Sequence, residues 1–217
     1  MSTAAVELPL FPLNVVLFPG TIVPLHIFEP RYRQMIKDCQ EEEKPFGIVL
    51  VKPDSEFMSE EPHAVGTIAE IHNLQKLEDG GYNLMAVGVK RFRILSKHNE
   101  KAYISGLVEP FDDQSESELE LTDLVQRAHK LFETYLNMLL DAADEQEIHA
   151  NLPEVPEDLS HFIAYFLEVE DDKKQQFLES TSTKQRLEEE IAILRREIPF
   201  MRQLLFKKID DDRTRLN

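Results

Sequence analysis

Val65-Gly-Thr-Ile-Ala-Glu-Ile-His-Asn-Leu-Gln-Lys-Leu77, then Asp79-Gly80-Gly81, then Tyr82-Asn-Leu-Met-Ala-Val-Gly-Val-Lys-Arg-Phe-Arg-Ile-Leu-Ser96, is the stretch that decides the fold. The first run partly alternates, with Val65, Thr67, Ala69 and Ile71 opposing Ile68, Glu70 and His72. Side chains of period two belong to a strand with two different faces. Asp-Gly-Gly supplies the positive-φ residues that a tight hairpin needs. The second run is a long strand, and Gly88 marks a bulge in it.

Working outward, Glu7–Leu13 and Ile22–Phe28 read as strands flanking a Phe18-Pro19-Gly20 turn. Phe46–Lys52 is a near-continuous apolar run, consistent with a buried strand. Ala102–Val108 reads as a last strand. One helix interrupts them, with Pro30 suited to its first position and Tyr32, Met35, Ile36 and Cys39 on its apolar side. The expectation is an α+β chain that opens with an antiparallel, partly closed pseudo-β-barrel holding one inserted helix.

The second half has different physics. All seven glycines lie at or before Gly106, and nine of the twelve prolines at or before Pro110. Residues 112–172 hold 2 basic against 18 acidic side chains. A boundary follows at Asp112–Ser117, giving a barrel domain over 1–111 and an α-helical bundle over 112–217. Ser117-x-x-Glu120 and Ser182-x-x-Gln185 are capping patterns. A stripe from Leu121 to Ala142 includes Leu124, Ala128, Phe132, Tyr135, Met138 and Leu139. Leu159, Phe162, Ile163, Phe166 and Leu167 follow in a second helix, and a short third covers Lys173–Leu178. In the last helix Leu187, Ile191, Leu194, Ile198, Met201 and Leu205 form a heptad seam. Pro199 removes a backbone donor inside it, which predicts a kink.

Composition narrows the function. The chain has 217 residues and carries 24 Lys+Arg against 41 Asp+Glu, a net charge of −17, which argues against general nucleic-acid affinity. No apolar run is long and unbroken enough to span a bilayer, and the first residues lack a secretory pattern. A cytoplasmic, membrane-free protein is expected. A single cysteine excludes a disulfide framework. Cys39 reads as a small buried hydrophobe. The seven histidines form no i,i+4 pair, so neither metal nor cofactor is expected. There is no Gly-Lys-Ser/Thr phosphate loop and no Gly-x-Ser-x-Gly elbow. Ser105 has no base or orienting partner in sequence reach. The chain reads as a non-enzyme with no catalytic residues.

Two features remain as candidate contacts. Lys90-Arg91-Phe92-Arg93 is the one basic cluster of the first half, read either as an RNA or partner contact or as structural pairing with acidic segments. Alternation places Lys90 and Phe92 on one face and Arg91 and Arg93 on the other. The 53–64 segment sets Phe57 and Met58 in an acidic frame, where they either grip apolar partners or anchor the loop.

Several blocks resemble the amino-terminal domain of Lon proteases. They are Leu8–Gly20 (LPLFPLNVVLFPG), Pro24–Tyr32 (PLHIFEPRY), Val65–Ile71, Val87–Ile94 and, in the helical half, Asp158–Ala164, Lys174–Glu179 and Arg186–Glu188. The resemblance covers nearly the whole chain and takes the form seen in stand-alone Lon-domain proteins, without the ATPase and protease modules. It implies a PUA-like barrel followed by a helical bundle, and a unit that helps recognise substrate proteins. The expected function is binding of unfolded or exposed hydrophobic protein segments, with Phe18, Pro19, Ile22, Phe57, Met58 and Met85 as contacts. A protease or chaperone would be the partner. The rival readings are RNA binding through the PUA-like fold, with Lys90, Arg91 and Arg93, and a purely structural role in which the last helix drives weak homo-oligomerisation.

Overall fold

A computed structural model of the chain describes residues 4–52, 61–142 and 152–215, with side chains as far as Leu204. Phe57 and Met58 lie outside the described residues. The order is β1 (Val6–Leu13), β2 (Ile22–Ile27), α1 (Pro30–Glu41), β3 (Phe46–Val51), β4 (Pro62–Lys76), β5 (Tyr82–His98), β6 (Ser105–Pro110), α2 (Glu118–Ala142), α3 (Pro156–Phe166), α4 (Asp171–Glu179) and α5 (Thr183–Arg215). The architecture is α+β.

The chain divides into two compact units, Met1–Asp113 with Leu167–Thr181, and Gln114–Phe166 with Ser182–Asn217. The sequence grouped 167–181 with the helices; in the structure α4 belongs with the strands. Polar contacts explain this. Gln175 donates to the Val65 carbonyl at 3.1 Å. The Arg91 guanidinium donates to the Leu178 and Ser180 carbonyls.

In the first unit the strand order is β2-β5-β4-β3-β1-β6, with β6 also paired to β5. Hydrogen bonding therefore closes a circuit through β1, β3, β4, β5 and β6, and β2 is added beside β5. The sheet is mixed, which corrects the wholly antiparallel expectation: β1 and β3 run parallel, Leu10 opposite Gly47. The cause is topological, because the chain passes through β2 and α1 before β3, and a crossover returns a strand in the same direction. The Asp79-Gly80-Gly81 turn joins β4 to β5 as expected, with Gly80 at φ 83.

One face of β2, β5 and β4 packs on α1. Tyr32, Met35, Ile36 and Cys39 are its buried residues, and they meet Phe11, Ile27, Phe46, Ala69, Leu84 and Ala86. A second core of Leu8, Leu10, Val49, Phe92 and Val108 lies on the other side of the sheet.

In the second unit, Phe132, Phe162 and Phe166 cluster at ring separations of 4.9–6.0 Å. The buried side of α2 is Leu124, Ala128, Phe132, Tyr135, Leu136 and Leu140. Leu136 and Leu140 replace the expected Met138 and Leu139, because the stripe tracks 3.6 rather than drifting around the helix. Ser182 caps α5 by accepting from the Gln185 N–H at 3.1 Å. Leu187, Ile191, Leu194 and Ile198 of the seam are buried.

Candidate functional site: a bare face of the β2–β5–β4 sheet

A tight turn positions the site. Thr21 Oγ1 donates to the Phe18 carbonyl at 2.8 Å, and Gly20 at φ 76 closes the bend. The turn lies against β5 through Gly88, whose N–H donates to the Thr21 carbonyl at 2.9 Å. A Cβ at Gly88 would sit 2.3 Å from the Phe18 carbonyl oxygen, so only glycine admits this approach. The register shift falls here too, with Gly88 opposite Ala69 but Lys90 opposite Ile68.

The turn delivers β2 to the edge of β5. Ile22 lies opposite Val87, Pro24 opposite Met85, and His26 opposite Asn83. On the other side of β5, Val87 faces Glu70 and Met85 faces His72. Residues directly opposite in a ladder point to the same side. Ile22, Pro24, Met85 and Val87 therefore form one apolar patch, on the side away from α1. Ile22 is 50% exposed and Met85 38%, Pro24 is exposed, and Val87 is half-buried. Phe28, 58% exposed, continues the stripe, its ring 5.9 Å from His26 and near parallel to it. A cleft of about 420 Å³, lined by Phe11, Leu13, Leu25, His26, Phe28 and Tyr32 among others, opens beside that end.

The expected contact residues separate. Ile22 and Met85 come together. Pro19 is half-buried in the turn, and Phe18 is fully buried. Phe18 therefore acts beneath the turn and cannot itself touch a partner. Pro24, Val87 and Phe28 adjoin Ile22 and Met85, and the period-two spacing of Ile22, Pro24, His26 and Phe28 carries that signal in the sequence.

Of the basic cluster Arg91 is buried, Lys90 partly exposed and Arg93 exposed. Arg91 is 1% exposed and, besides the Leu178 and Ser180 carbonyls at the end of α4, ion-pairs with Asp113. Its guanidinium also stacks 4.7 Å from the Phe111 ring centre. Lys90 pairs with Asp112 at 2.8 Å, and Arg93 lies 5.0 Å from the Phe111 ring centre. Pairing with Asp112 and Asp113 gives Lys90 and Arg91 a structural role, while Arg93 stays exposed.

A polar cleft of about 470 Å³ lies between the end of α1 and the β5–β6 loop. Its groups satisfy one another: Tyr103 donates to Asp38 at 2.7 Å, Lys101 to Tyr103 at 2.9 Å, and His98 pairs with Glu7 at 3.1 Å. Burial pushes the Cys39 thiol beside it up to about 12, so it holds little thiolate at neutral pH. Among the described residues no group of three or more His, Cys, Asp or Glu could hold a metal ion, and no helix is long and apolar enough to cross a membrane.

Comparison with known proteins supplies the family. The Lon protease of Anaeromyxobacter dehalogenans is 29% identical over 94% of this chain and 24% of its own length. That of Escherichia coli is 27% identical over 90% of this chain and 25% of its own. The chain thus spans about a quarter of these relatives. Among solved structures, a Lon N-terminal domain protein from Xanthomonas campestris matches with TM-score 0.65 and 25% identity, covering 86% of this chain and 98% of that one. The N-terminal domain of Mycobacterium avium complex Lon protease matches with TM-score 0.66 at 19% identity, covering 87% and 97%, and so shares the fold. The family model described as the ATP-dependent protease La (Lon) substrate-binding domain matches residues 7–196, and the chain belongs to that family.

Proposed function

We propose that the protein is a non-enzymatic recognition module that binds exposed apolar segments of client proteins on the face formed by Ile22, Pro24, Met85, Val87 and Phe28. Substrate recognition is the role the family description names. The observation that carries the finer reading is the bare patch where β2 meets β5, set by register rather than by a mobile loop. Burying apolar area yields ~25 cal/mol per Å², so a few side chains on this patch suffice for weak, reversible capture. A protease or chaperone in the cytoplasm would receive the client. We also propose weak self-association through α5 beyond Ile198, where Phe200 and Leu204 are more than half exposed.

The test is binding of a labelled, reduced and unfolded model protein, measured by fluorescence anisotropy. Ile22→Asp and Met85→Asp together should weaken binding at least tenfold without lowering the melting temperature. Unchanged affinity in a folded double variant would refute the assignment of this face.

A further inference from the structure

We infer that the client segment carries a lysine or arginine beside its apolar residues, and that Glu70 at the border of the bare face selects it. The inference rests on the reading of that face given above and adds a charge requirement to it.

Register places Glu70 directly beside Val87, whose other neighbour is Ile22. Its carboxylate is more than half exposed, and the His72 ring lies 3.5 Å from it and is also more than half exposed. Along β2 and the facing part of β5, residues 82–89, there is no Lys or Arg. The face is therefore apolar with an acidic border.

Next to that border the sheet opens. The β3–β4 ladder ends at Phe46 opposite Ala69. From Glu70 to Leu74, β4 instead lines a cleft of about 500 Å³ that faces the end of α1. Its lining includes the apolar residues Ile71, Leu74 and Pro45 and the acidic residues Glu43 and Glu70. The cation that shares the cleft, Lys44, is engaged with Glu42 at 2.7 Å. The end of α1 adds the partial negative charge of its last carbonyls. A long basic side chain fits this combination, because its methylene stem lies on apolar wall while its head meets carboxylates. An acidic flank would meet like charge. Two chains of net charge −17 repel one another, so the self-association proposed through α5 stays weak and does not use this face.

The experiment uses the full chain and three labelled peptides of about a dozen residues. They share one Leu/Ile/Phe core and differ only in flanks of Lys, Gln or Glu. Affinity is read by anisotropy at low and high salt. The expected order is Lys tighter than Gln tighter than Glu, with about a three- to tenfold span at low salt that flattens as salt screens it. Glu70→Gln should narrow the span and Glu70→Lys should invert it, both with unchanged melting temperature. Equal binding of the three peptides, or a lysine preference that survives Glu70→Lys, overturns the inference. Loss of all three peptides in the Ile22→Asp, Met85→Asp double variant, with the Glu70 variants inert, leaves the face standing and removes only the selection. Retention of all three in that double variant overturns the face and the inference together.

Discussion

Glu190→Gln should stabilise the protein, by an amount that grows with pH. Glu190 lies on α5 and is fully buried. Its carboxyl accepts from Ser160 Oγ of α3 at 2.9 Å, and Ser160 in turn accepts from Arg186 Nε at 3.0 Å. The other carboxyl oxygen is buried with no hydrogen bond. Ser160, Arg186 and Glu189 are the groups that act on it. Burial raises the carboxyl from the ordinary 4.5 to about 8, against the opposing Ser160 hydrogen bond and Arg186 charge. A pKa raised by folding means that the native state binds more protons than the unfolded state between those two values. Stability from this group is thus fully present below 4.5 and falls as pH rises toward 8. At about 1.4 kcal/mol per pH unit, the loss reaches roughly 5 kcal/mol as an upper figure. Glutamine keeps the neutral shape and removes the titration. Urea denaturation of both proteins at several pH values between 5 and 9 isolates it, since all other titrations cancel in the difference. The advantage of the variant should climb across that range and level off near pH 8. A difference that stays flat would mean that Glu190 is ionised in the fold and stabilised by Arg186.

Arg91→Met removes the donor to the Leu178 and Ser180 carbonyls and leaves the Asp113 carboxylate, only 6% exposed, without that partner. It should cost about 3–5 kcal/mol in denaturant unfolding, and limited proteolysis should open 167–181 first. Gly88→Ala drives a methyl into the Phe18 carbonyl, so it should cost about 1–3 kcal/mol and weaken client binding together with stability. Truncation after Ile198 should abolish any self-association seen in sedimentation while leaving a folded chain; a truncated chain that still associates would place the contact elsewhere.

Much of the fold was legible because its signals are local. Pro30 and the Tyr32, Met35, Ile36, Cys39 face define α1, and the structure buries those same four residues. Asp79-Gly80-Gly81 forces the β4–β5 hairpin whatever surrounds it. The parallel β1–β3 pair was not legible, because no residue in either strand encodes which way its partner runs. The place of α4 was hidden for a similar reason: Gln175 and Arg91 are polar residues whose partners are distant backbone carbonyls. The site was half legible. Ile22–Phe28 is apolar on both sides, so its composition does not say which side is covered. Only α1, lying over Val23, Leu25 and Ile27, leaves Ile22 and Pro24 in the open.

Burial along β5 is inverted, and this supports the client surface proposed above. Within β5 the cationic Arg91 is buried beneath a helix, while Met85 stands exposed beside Ile22 and Val87. Burial by hydrophobicity alone gives the opposite order. The buried cation is accounted for by Asp113, two carbonyls and the Phe111 ring. The exposed apolar group has no such internal account, and lone exposed apolar residues are ordinary. Here they are not lone. One ladder, β2 with β5, aligns Ile22 with Val87 and Pro24 with Met85 at spacings set by backbone hydrogen bonds. Under the proposed reading, a surface already formed by the ladder spends little conformational entropy on capture, and weak contacts then suffice to hold an extended segment.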